Sequence, residues 1–304
     1  MTPAEVVARA PAKVNVHLAV GPLRADGFHE LRTVYFAVSL FDTVTVGPGE
    51  GLAVSVTGVD AGVVPTDRRN LVWRAAVLLA EHAGVRHDAT IGIAKAIPAA
   101  AGLAGGSADA AAALVALDAF WGTRVGRADL DLLAAQLGSD VPFSLLGGVA
   151  LGSGRGEQLS PVLAPTRRHW VLGMAGEGLS TPAVYGELDR LRAAGRLPGD
   201  SGLGSADPVI AALRSGPPAA LAGALANDLQ TPALALRPEL GRALRAATDA
   251  GALAALVSGS GPTVAALVED ESSAIRLAAE LAGVGIFRTL RAVHGPVPGA
   301  RLVG

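Results

Sequence analysis

The chain has 304 residues, half of them hydrophobic, and its 25 basic and 27 acidic residues leave a net charge of −2 at pH 7. That balance gives no general attraction to nucleic acid or to an anionic membrane, and the lack of cysteine excludes disulfides, thiolate metal sites and cysteine nucleophiles. There is no secretory signal pattern and no unbroken apolar stretch of the ~20 residues that span a membrane, so we expect a cytoplasmic protein that binds neither nucleic acid nor membrane.

Strands and helices alternate through the first half of the chain. Apolar residues in alternation predict strands over 5–20, 33–46, 52–57, 90–96, 143–151 and 168–174. Helical spacing predicts helices over 70–83, 107–120 and 128–137. Ser107 is expected to be the N-cap of the second helix, since its hydroxyl can accept a hydrogen bond from a free amide of the first turn.

The second half is richer in helices. Helices are predicted over 182–194, 217–228, 238–250 and 272–282. Strands are predicted over 253–258, 263–268 and 286–293. This change in composition puts a domain boundary between 155 and 180, and we divide the chain into domains of residues 1–160 and 161–304.

Lysine is rare in this chain: Lys13 and Lys95 are the only lysines among the 25 basic residues. An ammonium is a compact point charge, so a lysine kept against that bias indicates a site where the planar guanidinium of arginine does not serve. Lys95 comes just before a loop rich in glycine and alanine, and a point charge there suggests anion chemistry. The alternative is that two surface lysines survive by chance.

Residues 98–109, with the sequence PAAAGLAGGSAD, join a predicted strand to a predicted helix. Glycines let the main chain approach an anion closely, and the N-terminus of the following helix directs free amides to the same place. The loop therefore fits a nucleotide polyphosphate, although it is neither a Walker A loop nor a dinucleotide fingerprint. The alternative is a purely structural entry to the helix. Asp109, in the first turn, is either a cap element or a residue near a metal.

Asp140 lies on a turn between a predicted helix and an apolar segment, from which a carboxylate can reach a cleft. In phosphoryl transfer to an alcohol, an aspartate recurs as the group that receives the hydroxyl proton, and a nearby ammonium would keep it ionised. Taken alone, such an aspartate is more often a cap or a turn residue.

Five segments in chain order resemble the GHMP kinase superfamily of galactokinases and of homoserine, mevalonate and phosphomevalonate kinases. They are residues 11–15 (PAKVN), 24–31 (RADGFHEL), 98–109, 138–142 (GSDVP) and 258–263 (SGSGPT). The resemblance spans essentially the whole chain, and the first two segments are typical of the branch that acts on a cytidine diphosphate alcohol. It implies an α+β fold of two domains, ATP-binding and substrate-side, with the active site in the cleft between them.

The resemblance also implies a mechanism with ATP and Mg²⁺ as cofactors. Asp140 would take the proton from the 2-hydroxyl of a methylerythritol unit, giving the 2-phosphate and ADP in the non-mevalonate route to isoprenoid precursors. Lys13 would orient that hydroxyl, hold Asp140 ionised and stabilise the transferring charge. Ser107 would contact phosphate oxygens or Mg²⁺. The expected partner is the small-molecule substrate, and the expected assembly a monomer or a weak homodimer.

Further site residues carry over position by position. The implied ATP contacts are Asn70, Lys95, Pro98, Ala99, Ala100, Ala101, Gly102, Leu103, Ala104, Gly105, Gly106, Ser107 and Ala108. The implied substrate contacts are Asn15, Phe28, His29, Tyr35 and Tyr185. In this arrangement the cytosine lies between aromatic faces while His29 hydrogen-bonds its edge. The alternatives are an exposed loop histidine at His29 and a helix-packing tyrosine at Tyr185.

The chain departs from the family pattern at two places. Residues 99–101 and Ala104 are alanine where glycine is usual, and alanine disfavours positive φ. Those residues must therefore adopt ordinary backbone angles or carry strain. Phe28 stands where tyrosine is common, which keeps a stacking face and loses a phenol hydrogen bond.

Two other functions remain open at this point. Another kinase of the superfamily, for mevalonate or homoserine, would have no use for a Phe28–His29 cytosine pocket. A nucleotide-binding regulator without catalysis would have no use for both Lys13 and Asp140.

Overall fold

A computed structural model of the protein describes residues 5–176, 178–197 and 203–303. Its strands are β1 Val6–Leu23, β2 His29–Gly47, β3 Leu52–Gly58, β4 Ala89–Lys95, β5 Val149–Ser153, β6 Gln158–Pro161, β7 Arg168–Met174, β8 Ala226–Asn227, β9 Ala254–Val257, β10 Thr263–Val268, β11 Thr289–Gly295 and β12 Arg301–Leu302. The predicted α+β fold is confirmed.

The helices lie between these strands and are most frequent in the second half. They are α1 Leu71–Ala83, α2 Gly105–Trp121, α3 Arg127–Leu137, α4 Val141–Leu146, α5 Thr181–Ala193, α6 Asp207–Ser215, α7 Pro218–Ala222, α8 Gln230–Leu236, α9 Glu239–Asp249 and α10 Glu271–Val284. Within the described ranges, none of them is both long enough and apolar enough to cross a membrane.

The first sheet has the strand order β12-β1-β2-β4-β3, with β5 beside β2 and β6 beside β5. The long strands β1 and β2 are antiparallel, and β3 runs parallel to β4 through the crossover that contains α1. Two short strands of the second half return to this sheet, because β8 and β12 both pair with β1. The proposed division at 160/161 falls near the end of β6, yet both halves contribute to the first sheet.

The second sheet has the order β11-β7-β10-β9, and all its neighbours are antiparallel. Side chains alternate across it, as expected for a strand. Trp170 and Leu172 of β7 join the large core of the first half, while Val171 joins the core beneath the helices of the second half. The apolar interior of the first half therefore continues beneath the second sheet.

Helix α2 lies at the centre of the large core and is buried on nearly every side. Its residues 110–113 are consecutive alanines, which are strong helix formers and small enough to let neighbouring elements approach closely. A helix that is apolar all round is expected in such a position. The packing of α2 fixes where its N-terminus opens.

Most predicted elements are confirmed, and three predictions are wrong. Residues 143–151 form the end of α4 and the start of β5, because Pro142 favours the first turn of a helix and a short apolar run does not distinguish strand from helix. Residues 217–228 contain only the short helix α7, which ends at Ala222, and then β8. Ser107 is not an N-cap, because α2 begins at Gly105 and Ala104 takes that position.

Candidate active site

One cavity of about 730 Å³ opens where the first strands, the N-terminus of α2 and α5 meet. Residues from both halves of the chain line it. Of the predicted site residues, those on its wall are Lys13, Asn15, Phe28, His29, Tyr35, Ala100, Ala101, Gly102, Ala104, Gly105, Gly106, Ser107, Asp140 and Tyr185. The structure thus brings the predicted catalytic pair, most of the loop and the predicted substrate contacts to one place.

Lys13 and Asp140 lie side by side in this cavity although 127 positions separate them in the sequence. The Lys13 Nζ lies 3.7 Å from Asp140 Oδ2, and it donates a 2.6 Å hydrogen bond to Asn15 Oδ1. Asn15 in turn donates to the hydroxyl of Thr33 at 2.8 Å. The Lys13 side chain is buried, whereas the Asp140 side chain is 32% exposed. The ammonium is therefore fixed by the strand β1, and the carboxylate is free to meet a ligand.

Two tyrosines face the Asp140 carboxylate. Burial, together with the nearby charge of Asp140, raises the pKa of Tyr35 well above its usual value of 10, and the same two causes raise the pKa of Tyr185. Tyr35 is held in place by stacking on Phe143, with ring centroids 4.9 Å apart. Both phenols therefore stay protonated at neutral pH and can donate hydrogen bonds.

The loop before α2 is fastened to the turn between β9 and β10. Ser258 donates from its hydroxyl to the carbonyl of Gly102 at 3.1 Å, and the amide of Thr263 donates to the carbonyl of Ala101 at 3.3 Å. The amide of Lys13 donates to the carbonyl of Leu103 at 3.2 Å. These bonds hold the loop against both halves of the chain, and they turn the first amides of α2 towards the cavity wall at Gly105, which fits an anion.

The alanines of this loop do carry backbone strain. Ala100 has φ of 50° and Ala104 has φ of 60°, both in the left-handed region that favours glycine. The sequence left open whether these four alanines adopt ordinary backbone angles or carry strain. Two of the four, Ala100 and Ala104, adopt the angles of a glycine and therefore carry strain.

Replacing Ala104 with glycine is expected to stabilise the protein by up to about 1.6 kcal/mol. Relief of a left-handed alanine releases about 1–2 kcal/mol, and the extra freedom of glycine in the unfolded chain takes back about 0.4–1 kcal/mol. Denaturant unfolding measures the change. Ala113→Gly in the interior of α2 is the matched control and should destabilise the protein; equal destabilisation by both variants would contradict the strain at Ala104.

Lys95 does not reach the cavity, contrary to its predicted contact with ATP. Its buried Nζ contacts the carboxylates of Asp42 and Asp109, the second at 2.6 Å. Asp42 also accepts from the amides of Ala96 and Ile97 at 2.6 and 2.8 Å. Burial and the adjacent Asp42 carboxylate raise the pKa of Asp109 to about 8. Asp109 is therefore a partner of Lys95 behind the loop, and neither a cap nor a residue on the cavity wall.

Five other predicted ATP contacts also lie off the cavity wall. They are Asn70, Pro98, Ala99, Leu103 and Ala108. Asn70 is the N-cap of α1, where its side chain accepts from the amide of Val72 at 2.8 Å. Leu103 and Ala108 are buried in the large core.

The predicted base pocket lies at the other end of the cavity. Phe28 is 51% exposed at its rim, while His29 is buried with its ring 5.3 Å from that of Tyr185. Two residues that the sequence analysis missed complete this end. Asp189 has its Oδ2 3.3 Å from His29 Nε2, and the guanidinium of Arg155 lies 4.9 Å above the ring of Phe28.

The sequence holds a signal for one of these two residues. Asp189 lies four positions after Tyr185 within the predicted helix 182–194, a spacing that puts both on one helix face. Arg155 lies in a glycine-rich turn, where no periodicity indicates which way a side chain points. Its position depends on how β5 and β6 pair.

Within the described part of the chain, no three acidic or histidine side chains lie close enough together to hold a metal ion on their own. The cavity wall does carry oxygen donors suited to Mg²⁺, the hydroxyl of Ser107 and the carboxylate of Asp140. Mg²⁺ usually needs only one or two protein oxygens when phosphates supply others. This donor set therefore fits Mg²⁺ delivered with a polyphosphate.

Comparisons with known proteins all point to one family. Residues 70–148 match the model of the GHMP kinases N terminal domain, and residues 209–286 match the GHMP kinases C terminal model. A protein of Rhodococcus jostii (strain RHA1) named 4-diphosphocytidyl-2-C-methyl-D-erythritol kinase is 58% identical over 100% of this chain and 96% of its own length. A protein of the same name from Mycobacterium tuberculosis (strain ATCC 25618 / H37Rv) is 56% identical over 98% of this chain and 93% of its own length.

Solved structures resemble the whole chain. A crystal structure of 4-(cytidine 5'-diphospho)-2C-methyl-D-erythritol kinase has a TM-score of 0.76 and 36% identity, and the match covers 99% of both chains. A homoserine kinase from Cytophaga hutchinsonii also has a TM-score of 0.76, with 20% identity over 100% of this chain and 98% of that one. The second likeness shows the fold alone.

Proposed function

This chain belongs to the GHMP kinase family, and on that premise we propose that it phosphorylates the 2-hydroxyl of 4-diphosphocytidyl-2-C-methyl-D-erythritol with ATP, giving the 2-phosphate and ADP. The observation that carries the chemistry is the pair formed by Lys13 and Asp140, 3.7 Å apart in a cavity that the amide-lined loop also borders. The choice of substrate follows the relatives that are 54–58% identical.

ATP lies across residues 100–107 in this proposal. The first amides of α2 and the positive end of its dipole face the phosphates, which is a common way for proteins to bind phosphate groups. Gly105 and Gly106 on the cavity wall let the backbone come close to them. When Mg²⁺ is bound with ATP, it offsets negative charge on the phosphates, and Ser107 is the residue that would hold it.

Asp140 acts as the general base. Its carboxylate accepts the proton of the substrate's 2-hydroxyl while that oxygen forms a bond to the γ-phosphorus. The bond between the γ-phosphorus and the oxygen that bridges it to the β-phosphorus breaks, and ADP leaves. The electron pair of that bond goes to the ADP oxygen, so charge and atoms balance.

Lys13 stabilises the charge that moves during this step. Its ammonium is held rigidly by Asn15 and lies next to Asp140, so no reorganisation is required when negative charge develops on the transferring oxygens. A compact ammonium suits this position, because the Lys13 Nζ lies between the side chain of Asn15 and the ring of Tyr35.

Phosphorylation of mevalonate or homoserine is not favoured by any feature of the cavity. The structural neighbours with those activities are 12–20% identical, which is a likeness of fold. Measuring ADP release with the cytidylyl alcohol, with mevalonate and with homoserine tests the proposal. Turnover confined to mevalonate or homoserine, or no turnover with any alcohol, would overturn it.

Replacing His29 with alanine is expected to raise the KM for the cytidylyl alcohol about tenfold or more while the KM for ATP changes little. The reason is that His29 lies at the base pocket, and loss of a hydrogen bond to a nucleobase edge weakens binding by about 1–3 kcal/mol. Steady-state kinetics with each substrate varied in turn gives both constants. His87→Ala, which removes an exposed histidine outside the cavity, is the control. An equal rise in the KM for the cytidylyl alcohol and the KM for ATP would refute the placement of His29 in the base pocket.

A further inference from the structure

The segment after β3 lies against the start of the loop before α2. The amide of Val59 donates to the carbonyl of Lys95 at 3.0 Å. Asp60 Oδ2 accepts from the amide of Ala99 at 3.1 Å. The Asp60 side chain is only 17% exposed, and it lies off the cavity wall. Asp60 therefore holds the loop from behind, and its bond occupies the amide of Ala99, a residue that the sequence analysis assigned to ATP.

The same carboxylate is tied to the second half of the chain. Arg288 Nη2 donates to Asp60 Oδ2 at 3.0 Å. Arg288 is itself fixed at the end of β7, because its amide donates to the carbonyl of Met174 at 2.8 Å and its Nη2 lies 3.8 Å from Met174 Sδ. Hydrogen bonds to an ionised group are stronger than those between neutral groups. Asp60 therefore joins the loop to both halves of the molecule through one oxygen.

The strained Ala100 lies between two residues that distant groups hold. On its N-terminal side, Asp60 holds the amide of Ala99. On its C-terminal side, the carbonyl of Ala101 accepts from the amide of Thr263 at 3.3 Å. Between them Ala100 keeps its left-handed φ of 50° on the cavity wall. Strain of this kind persists only where the surroundings determine the conformation, so loss of the bond to Asp60 would let Ala100 relax to the angles that alanine prefers.

We propose that Asp60 is a positioning residue for ATP: it holds Ala100 in the left-handed conformation and so keeps the loop before α2 in the shape that receives the phosphates. The inference rests on the proposed function, because that function puts ATP across residues 100–107. Without Asp60 the loop relaxes, and ATP then binds only to the fraction of molecules that keep the strained shape, which weakens its apparent affinity. The phosphoryl transfer itself depends on Lys13 and Asp140, which Asp60 does not contact.

The test measures binding of ATP with Mg²⁺ to the full chain by calorimetry. Asp60→Gly removes the carboxylate and leaves a residue that adopts the φ of 56° at this position without strain. It should weaken ATP binding about tenfold, the factor that corresponds to release of one left-handed alanine. In an Ala100→Gly background the same change should weaken binding by at most about twofold, because glycine keeps the left-handed angle without support.

Kinetics and a matched control complete the test. In Asp60→Gly the KM for ATP should rise while kcat changes little. Arg124→Gly is the control, since it replaces another left-handed residue, with φ of 53°, that is exposed and off the cavity wall, and it should leave ATP affinity unchanged. Asp60→Asn, which keeps the size of the side chain and loses its charge, is a second variant and should show a smaller loss with the same dependence on Ala100.

The outcomes separate this inference from the proposed function. If Asp60→Gly weakens ATP binding and Ala100→Gly removes that loss, the inference stands even where no cytidylyl alcohol is phosphorylated, and only the proposed function fails. If the cytidylyl alcohol is phosphorylated and the loss of ATP affinity is equal in both backgrounds, Asp60 merely supports the fold and the inference is overturned. Unchanged ATP affinity in Asp60→Gly overturns it as well.

Discussion

The Asp140→Asn variant is expected to lose about 10²–10⁴-fold in kcat, because an amide cannot accept the proton that a general base removes. The substitution keeps the shape of the side chain and leaves Lys13 in place. ATP should bind at least as tightly as before, because the substitution removes a negative charge near the phosphates and breaks no contact with ATP. ADP release under saturating substrates measures kcat, and calorimetric titration measures ATP binding.

The control for this variant applies the same chemical change elsewhere. Asp131 lies on the exposed surface of α3, where it pairs with Arg127 at 3.1 Å, and Asp131→Asn should retain turnover. Near-normal turnover in Asp140→Asn would remove Asp140 from the role of base. Loss of both ATP binding and turnover would indicate that the substitution disrupts the loop before α2.

The Gly102→Ala variant is expected to lower the free energy of unfolding by about 2–6 kcal/mol and to weaken ATP binding. Gly102 has φ of 76°, and a Cβ at this position would lie 2.3 Å from the carbonyl oxygen of Ser258. Both a strained backbone and an overfilled contact therefore act at one residue, each at a cost of about 1–3 kcal/mol. The loop can relieve the clash only by moving away from the turn that fastens it.

Gly122→Ala separates the two causes. Gly122 has φ of 66° at the end of α2, and a Cβ there would meet nothing within 4 Å. This variant carries the backbone strain alone and should cost about 1 kcal/mol, with ATP binding intact. Denaturant unfolding of both variants, with the KM for ATP, gives the comparison. A Gly102→Ala variant no less stable than Gly122→Ala would show that the loop is not clamped at Gly102.

The two rare lysines show how far composition alone predicts a site. The same argument singled out Lys13 and Lys95, and the structure brings only Lys13 to the cavity. Lys95 pairs with two buried acidic side chains, Asp42 and Asp109, and its Nζ would lie 3.2 Å from a Cβ at Gly105. A point charge that fits a crowded interior is also a reason to avoid arginine. The sequence gives no means to separate this reason from a catalytic one, because Asp42 lies 53 positions from Lys95.

The order of motifs predicted the site better than local patterns did. Lys13 and Asp140 meet because β1 and the start of α4 converge, and that convergence depends on pairings between distant strands. The strain at Ala100 and Ala104 was predicted only as one of two alternatives. The loop between these alanines is held by bonds from distant residues, Lys13, Ser258 and Thr263, which local sequence patterns do not reveal.

Asp189 and Arg155 were missed for different reasons. The helix that carries Asp189 was predicted with nearly correct bounds, and the face shared with Tyr185 followed from spacing alone. The position of Arg155 depends on the β5–β6 hairpin, and the predicted strand over 143–151 is wrong about where the first strand of that hairpin begins. The apolar run there is buried in both states, so its periodicity carried no information on the turn that follows.

The interior shared by the two sheets limits how the protein can move. Trp170 and Leu172 belong to the second sheet and yet pack into the hydrophobic core of the first half. Moving the two halves apart would expose this apolar surface to water, at a free-energy cost of about 25 cal/mol for each Å² exposed. Separation of the two halves as rigid bodies therefore costs free energy, and we expect ligand exchange through the open rim of the cavity without it.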